Sequence, residues 1–375
     1  MHLYIHLPFC LKKCNYCDFI SYAGVPHGQV RRYLAALLKE SELVAARFRP
    51  GKIFTLYLGG GTPSYLSGEE LLDIIEGVRN IFGIEEEAEI TLEANPGTLT
   101  PNKLKLLRLA GVNRLSLGAQ SFDDGMLKAM GRVHQVEDIY QAFYWAREAG
   151  FSNINLDLIY GLPGQTLSQW EDTLNQALKL YPEHLSTYAL ELSLDTPWGR
   201  KQKLGELLLP REEEVLSMYE LARRKLKEAG FEHYEISNFA RPGFECRHNL
   251  SYWENRDYLG LGVAAASHWK GKRWENKVGI EDYCRSLEEG QLPVAEEEEL
   301  DQQQKMGETL FLGLRLRKGI SLKEFKDRFG EELMSVYGPE IDRLVSLGLV
   351  EIRGGRMIIT EKGLPLANEV FLAFV

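Results

Sequence analysis

Cysteine is scarce in this chain: five in 375 residues, an odd number. That argues against a disulfide framework and for a reducing, cytosolic setting. Long apolar runs are missing too. None reaches the ~18 residues of a membrane-spanning helix. The N-terminus lacks the charged, apolar and cleavage regions of a secretory signal. Basic excess is absent: 44 Lys and Arg against 54 Asp and Glu leave a net charge of −10. That opposes any binding that depends on neutralising phosphates, so no nucleic-acid partner is expected. Gly59-Gly60-Gly61 lacks the GxGxxG spacing of a dinucleotide loop. What remains is an ordinary globular composition, 44% hydrophobic and 26% charged. It is long enough for two or three domains with a sizeable core.

The few cysteines are not scattered. Cys10, Cys14 and Cys17 fall within eight residues, spaced C-x3-C-x2-C. Thiolates so close together are soft ligands suited to iron or zinc. A closed structural zinc site wants four ligands, and a four-iron cluster usually takes four thiolates. Three thiolates leave one iron with an open position where a small molecule can bind. The alternative is a zinc knot completed by His6 or Asp18.

Met1–Pro8 alternates like a short strand and feeds into the cysteine loop. After it, strand, loop and helix repeat about six times. The expected strands lie near Ile53–Leu58, Glu89–Glu93, Arg114–Leu117, Ile154–Tyr160 and His184–Leu192. Ser67 and Glu70 predict a capping box, and Thr100-Pro101 predicts a helix start. The chain is too short for eight units, so an α/β fold with a partial (β/α)6 barrel is expected, a doubly wound sheet being the fallback. In such folds chemistry sits at the carboxyl ends of the strands. There lie the cysteines, Gly60-Gly61-Thr62, Glu93, Gln120 and Asp157, one after another. They are expected to share one mouth.

The C-x3-C-x2-C spacing, with an aromatic before the last cysteine, resembles the cluster motif of the radical S-adenosylmethionine (SAM) enzymes. Further stretches narrow the resemblance: Tyr4-Ile5-His6-Leu7-Pro8-Phe9-Cys10, Gly59-Gly60-Gly61-Thr62-Pro63, Glu93-Ala94-Asn95-Pro96, Gly118-Ala119-Gln120-Ser121-Phe122 and Asp157 to Pro163. Together they are similar to the oxygen-independent coproporphyrinogen III oxidase family over nearly the whole chain. The resemblance implies a [4Fe-4S] cluster on Cys10, Cys14 and Cys17, with SAM chelating the open iron. It places Tyr4, Gly60, Gly61, Thr62, Glu93, Gln120, Arg132 and Asp157 at the SAM positions. Glycines let backbone approach a ligand closely, Arg132 offers a fork to a carboxylate, and Asp157 and Gln120 can meet ribose hydroxyls.

Two departures point to a branch of that family. The oxidases add a fourth cysteine two residues after the third, where this chain has Phe19. They also carry an N-terminal arm, whereas here the first strand starts at Met1. Both make the chain resemble the haem-chaperone branch. Cys246-Arg247-His248-Asn249-Leu250-Ser251-Tyr252-Trp253 is similar to the H-N-x-x-Y-W motif of that branch, so the resemblance implies that His248 engages haem. Imidazole is a standard axial ligand of haem iron, and Trp253, Trp269 and Trp274 lie in the same region. Cys246 is a rival iron ligand, and a satisfied structural histidine is the plain alternative. By the same resemblance, the run Gly260–Ser267 approaches the SAM adenine; tight packing is its alternative.

The expected domains are residues 1–200, the barrel; 201–298, an α+β extension; and 299–375, a winged-helix-like tail after the charge run Glu296–Glu299, read as a solvated linker. The implied function is haem binding and delivery to haem-requiring, respiratory apo-proteins. The protein is expected in the cytoplasm, peripheral to the inner membrane face, and as a homodimer. The rival is an active oxidase that decarboxylates coproporphyrinogen III.

Overall fold

The computed structural model describes residues 1–374. Six strands lie side by side in chain order, all parallel: β1 (His2–Leu7), β2 (Ile53–Gly60), β3 (Ile84–Ala94), β4 (Arg114–Gln120), β5 (Ile154–Tyr160) and β6 (His184–Ala189). A doubly wound sheet reverses its strand order part-way. This one does not, so the barrel expectation holds. Beyond β1 the sheet continues through Tyr258–Leu261 and three antiparallel strands to Val294–Glu299; beyond β6 it continues through Asn238–Ala240 to Glu232–His233. These two end strands are not paired to each other among the described residues, so the barrel stays open.

Alternation along the six strands decides what lies on each side. Leu3, Ile5, Leu56, Leu58, Leu92, Leu115, Leu117, Leu156, Leu158 and Leu185 are fully buried in the apolar core. Truncating one of them to Ala costs about 2–5 kcal/mol. The intervening residues are polar or glycine: Tyr4 and His6, Thr55 and Tyr57, Thr91 and Glu93, Ser116 and Gly118, Asn155 and Asp157. Several of them bond to one another on that side of the sheet: Tyr4 with His6, Tyr57 with Glu93, Ser116 with Asp157, and Asn155 with both Ser116 and Asp157. An inner layer of this kind makes a polar hollow, where a filled barrel would have layers of branched apolar side chains.

The expected local signals are realised. Ser67 Oγ accepts from the Glu70 amide at 3.1 Å, and Glu70 accepts from the Ser67 amide at 2.9 Å. Thr100 caps the helix Pro101–Leu109, with proline at its first position. One reading is corrected. The charge run Glu296–Glu299 is not a linker but part of the edge strand Val294–Glu299, with Arg273 opposite Glu298 and Lys272 opposite Glu299. Cross-strand pairs of opposite charge support such a strand, and side-chain acidity is typical of a protected edge. The tail is winged-helix-like, as expected. It has helices Gln302–Gly313, Leu322–Phe329 and Leu333–Ser346, and a three-stranded antiparallel sheet in which Arg356–Ile359 lies between Ile320–Ser321 and Val350–Arg353.

Candidate functional site

β1 runs into the short strand Phe9–Cys10, which pairs with Tyr22–Ala23. The loop between them carries the cysteines and is tied down at several points. His6 Nε2 meets the Ile20 carbonyl at 2.8 Å. Asn15 donates its amide to Met130 O and its side chain to Ala129 O, both at 2.9 Å, and its carbonyl accepts from the Trp198 amide at 2.9 Å. The Asn15 bonds fasten the loop to the end of the helix Asp124–Met130, which follows β4, and to the helix Pro197–Lys203, which follows β6.

Cys10 is buried; Cys14 and Cys17 are partly exposed. Cys10 Sγ lies 3.4 Å from Thr62 Oγ1, and Arg132 Nη1 donates to Cys14 Sγ at 3.5 Å. Burial pushes the Cys17 thiol up to about 11; the Phe19 amide opposes this, and the neighbouring Cys14 and Cys10 thiols add to it. The thiol form is thus favoured in the metal-free protein, and a bound metal would take the place of its proton. Among the described residues no three His, Cys, Asp or Glu side chains are gathered tightly enough to hold one metal ion. A four-iron cluster asks for a looser set, because each thiolate meets a different iron. His6 is no free zinc ligand: its Nε2 is on Ile20 O and its Nδ1 on the Tyr4 hydroxyl at 3.0 Å.

Beside the loop, Glu93 and Asp157 face the same hollow. Glu93 accepts from Tyr57 Oη at 2.8 Å and from the Gly60 amide at 3.2 Å. Burial, and then the nearby Asp157, raise its carboxyl to about 7. Asp157 is also raised by burial, and accepts from Ser116 Oγ at 2.9 Å and Asn155 Nδ2 at 2.8 Å. Arg132 donates to Gly118 O at 2.7 Å, while its Nε is buried without a partner among the described residues. Gln120 adopts a left-handed backbone (φ 66°) where the β4–β5 register shifts. Such outliers are held in place at sites where geometry matters.

The glycines at the end of β2 also make close approaches within the protein itself. A Cβ at Gly60 (φ 114°) would lie 2.7 Å from the His6 ring, and one at Gly61 would lie 2.8 Å from Phe9 O. They let the end of β2 press against β1 and the cysteine strand. The run Gly260–Ser267 likewise packs tightly: a Cβ at Gly262 would meet Tyr33 Oη at 2.5 Å and His6 O at 2.6 Å.

The mouth thus gathers Cys10, Cys14, Cys17, Tyr4, Gly60, Gly61, Thr62, Glu93, Gln120, Arg132 and Asp157. The donor set fits a cluster with SAM: thiols for iron, an incompletely paired guanidinium for a carboxylate, and carboxylates for an ammonium and hydroxyls. His248 is not among them. It sits in the helix Arg247–Trp253, against the amino-terminal halves of β2 and β3. It is 1% exposed, with Nδ1 2.8 Å from Thr55 Oγ1 and Nε2 2.9 Å from Tyr252 Oη. Burial lowers its pKa to about 3, so it is neutral. Cys246 is fully buried against Glu89, and burial raises its thiol to about 12.

Known proteins carry the same pattern. The Radical SAM superfamily profile matches residues 4–177, and that of the HemN C-terminal domain matches residues 300–366. The heme chaperone HemW of Bacillus subtilis is 39% identical over 99% of this chain and 98% of its own length. The chain belongs to the HemW family. The HemW of Lactococcus lactis is 36% identical over 99% of this chain and 96% of its own. Among solved structures, the Escherichia coli coproporphyrinogen III oxidase HemN, a radical SAM enzyme, overlays with a TM-score of 0.88 and 25% identity, covering all of this chain and 89% of that one. The HemW match thus runs through the cysteine loop, the helix Arg247–Trp253 and the tail alike.

Several site residues escaped the sequence reading. Tyr57, Ser116 and Asn155 position the two carboxylates. Each lies an even number of positions from a residue already singled out on its own strand, so the alternation could have flagged Tyr57 (before Gly59) and Asn155 (before Asp157). His134, which bonds Asn95 Oδ1 and Ala119 O, both at 3.2 Å, had no such signal.

Proposed function

We propose that this chain binds haem and delivers it to haem-requiring apo-proteins, respiratory enzymes among them, on a radical SAM scaffold. In this reading Cys10, Cys14 and Cys17 hold a [4Fe-4S] cluster whose open iron is met by SAM. Arg132 takes the SAM carboxylate, Glu93 its ammonium, and Asp157 and Gln120 the ribose hydroxyls. Tyr4, Gly60, Gly61 and Thr62 complete the walls. When bound, the cluster can supply one electron to SAM. The protein's own groups orient SAM, and the polar hollow holds its charges.

The observation that carries the chaperone over the oxidase is Phe19. It is 66% exposed beside the cysteine loop, where the oxidase pattern has a fourth thiol. Its carbonyl takes the Lys13 ammonium at 3.1 Å, so the position serves the loop's backbone. Whole-length likeness to proteins named heme chaperone supports the same choice. The overlay on HemN favours the second reading, an oxidase that decarboxylates coproporphyrinogen III.

His248 is the haem ligand in this proposal, and the burial of its ring sets a condition. Iron reaches Nε2 only after the Tyr252 hydroxyl leaves it and the helix Arg247–Trp253 shifts. The remaining parts of the reading are a cytoplasmic protein that meets its acceptor at the inner membrane face, a homodimer, and domains divided near residues 200 and 298. No helix among the described residues is long and apolar enough to cross a membrane.

The deciding experiment titrates the anaerobically reconstituted protein with haemin, following the Soret band, and assays coproporphyrinogen III decarboxylation in parallel. Saturable haemin binding without decarboxylation is the expected result. Decarboxylation without stoichiometric haemin binding would move the protein to the oxidase class.

A further inference from the structure

The helix Arg247–Trp253 is seven residues long. Isolated helices shorter than about 12–15 residues are marginal in water, so its wound state depends on what holds its two ends. The two ends are held differently.

The start is fastened to the barrel. Glu89 on β3 is 6% exposed; its Oε1 accepts from the His248 amide and its Oε2 from the Arg247 amide, both at 3.0 Å. Arg247 Nη1 donates to Glu87 O at 2.6 Å. His248 Nδ1, 2.8 Å from Thr55 Oγ1, ties the same turn to β2. Both oxygens of the buried carboxylate are used, as a settled interior requires.

The end is held by the tail. Asn255 donates from Nδ2 to Thr309 Oγ1, and its carbonyl accepts from Arg328 Nη2, both at 3.0 Å. Lys318 Nζ meets Glu254 Oε1 at 2.7 Å, with the lysine side chain 55% exposed. The Arg315 guanidinium lies 4.4 Å from the centre of the Trp253 ring. This seam is incompletely matched. Trp253 Nε1, Arg315 Nε, Glu235 Oε2 and Glu308 Oε2 are buried without a hydrogen-bond partner among the described residues, and Glu235 Oε2 stays 4.0 Å from Arg315 Nη2. Buried polar atoms left unpaired are rare in a settled core. The packing is open as well: a cleft of about 310 Å³, lined in part by Trp253, Glu254, Gly313, Lys318 and Phe325, lies beside the helix end.

We propose that the tail is a clamp on the last turn of this helix. Docked, it keeps that turn wound and Tyr252 against His248; lifted, it lets the turn unwind while Glu89 and Thr55 hold His248 in place. Tyr252 Oη is 2.9 Å from His248 Nε2 and belongs to the turn that gives way. Its departure uncovers Nε2 and leaves the Nδ1 contact with Thr55 intact. The proposal rests on the reading of His248 as the haem ligand and names what controls access to it. Haem takes only the lifted state, so its apparent affinity falls with the fraction of protein in that state.

The test uses the full, cluster-loaded chain, with cluster absorbance as the control for folding. Lys318→Glu with Thr309→Val loosens the grip of the tail: the first sets a carboxylate against Glu254, and the second removes the acceptor of Asn255. Hydrogen exchange followed by mass spectrometry reads the amides of Glu254, Asn255 and Arg256, which donate to Leu250 O, Tyr252 O and Ser251 O. These should exchange faster in the paired variant, while the Arg247 and His248 amides on Glu89 stay protected. Haemin association should speed up by roughly three- to tenfold. Thr309→Val alone, the milder change, should move both readouts the same way by less. Unchanged exchange at residues 254–256 in both variants overturns the clamp, as does faster exchange there with unchanged haemin uptake. Equal loss of protection at residues 247–248 overturns the fixed start. Failure of the wild type to bind haemin at all removes the carrier reading, and the clamp with it.

Discussion

The hydroxyl of Tyr57 donates to Glu93 Oε1 at 2.8 Å, while the ring of Tyr57 packs 5.0 Å from that of His248. One side chain on β2 thus touches both the carboxylate at the mouth and the histidine near the other end of the strands. It holds Glu93 in a place where burial raises the carboxyl to about 7.

That shift has a sign that can be measured. In the proposed reading Glu93 takes the SAM ammonium, which would favour its ionised form, so that binding near neutral pH would displace a proton. SAM affinity should rise as the pH passes upward through about 7 and flatten above it. Glu93→Gln should bind SAM more weakly at pH 8, by about tenfold, and lose the pH dependence. Calorimetry in two buffers of different ionisation enthalpy reads the released proton directly.

The stability of the SAM-free protein should move the other way. Glu93 and Glu40 are both raised by burial from 4.5 to about 7. A carboxyl whose folded pKa lies above its unfolded value favours folding while protonated. That contribution is present at low pH and is lost as pH rises from about 4.5 to about 7. Thermal midpoints of wild type and Glu93→Gln across that window should diverge, with the wild type falling more steeply.

Cys14→Ala, like Cys10→Ala and Cys17→Ala, should lose the brown cluster absorbance near roughly 400 nm that thiolate-bound iron gives. Reconstitution of Cys14→Ala with undiminished iron and sulfide would reject the ligand assignment.

Gly60→Ala should destabilise the protein by about 1–3 kcal/mol, because left-handed backbone and a close neighbour act together. Its Cβ would meet the His6 ring at 2.7 Å. Urea unfolding measures the loss, and cluster retention should weaken with it, since His6 also anchors the cysteine loop through Ile20 O.

His248→Ala should weaken haemin binding and also lower the thermal midpoint. It leaves Thr55 Oγ1 and Tyr252 Oη without the ring they meet, at a cost of about 1–3 kcal/mol each where they stay unsatisfied. Haemin binding unchanged in this variant would make His248 purely structural.

Local chemistry was readable because its causes are local. Ser67 with Glu70, and Thr100 with Pro101, cap their helices through contacts a few residues long. The alternation of His2-Leu3-Tyr4-Ile5 and of Arg114-Leu115-Ser116-Leu117 separates the two faces of the sheet. The strand at Val294–Glu299 was not readable. Acidic residues read as solvated until Lys272 and Arg273 are seen opposite them. The close approach of Gly60 to His6 and the shared use of Asn15 by Met130, Ala129 and Trp198 are equally invisible in one dimension.

The sequence by itself determined the strand-and-helix repeat, the three-thiol loop and the order in which polar groups meet the strand ends. Periodicity and chemical identity are properties of the chain. Only the tertiary structure decided that Arg132 reaches Cys14, that Tyr57 rather than a loop residue holds Glu93, and that His248 is enclosed with both ring nitrogens bonded. Those contacts join residues 36 to 193 positions apart, apart from the pairing of His248 with Tyr252 on its own helix. Burial, which sets the charge of Glu93 and His248, exists only once the sheet has curved and its helices have closed around it.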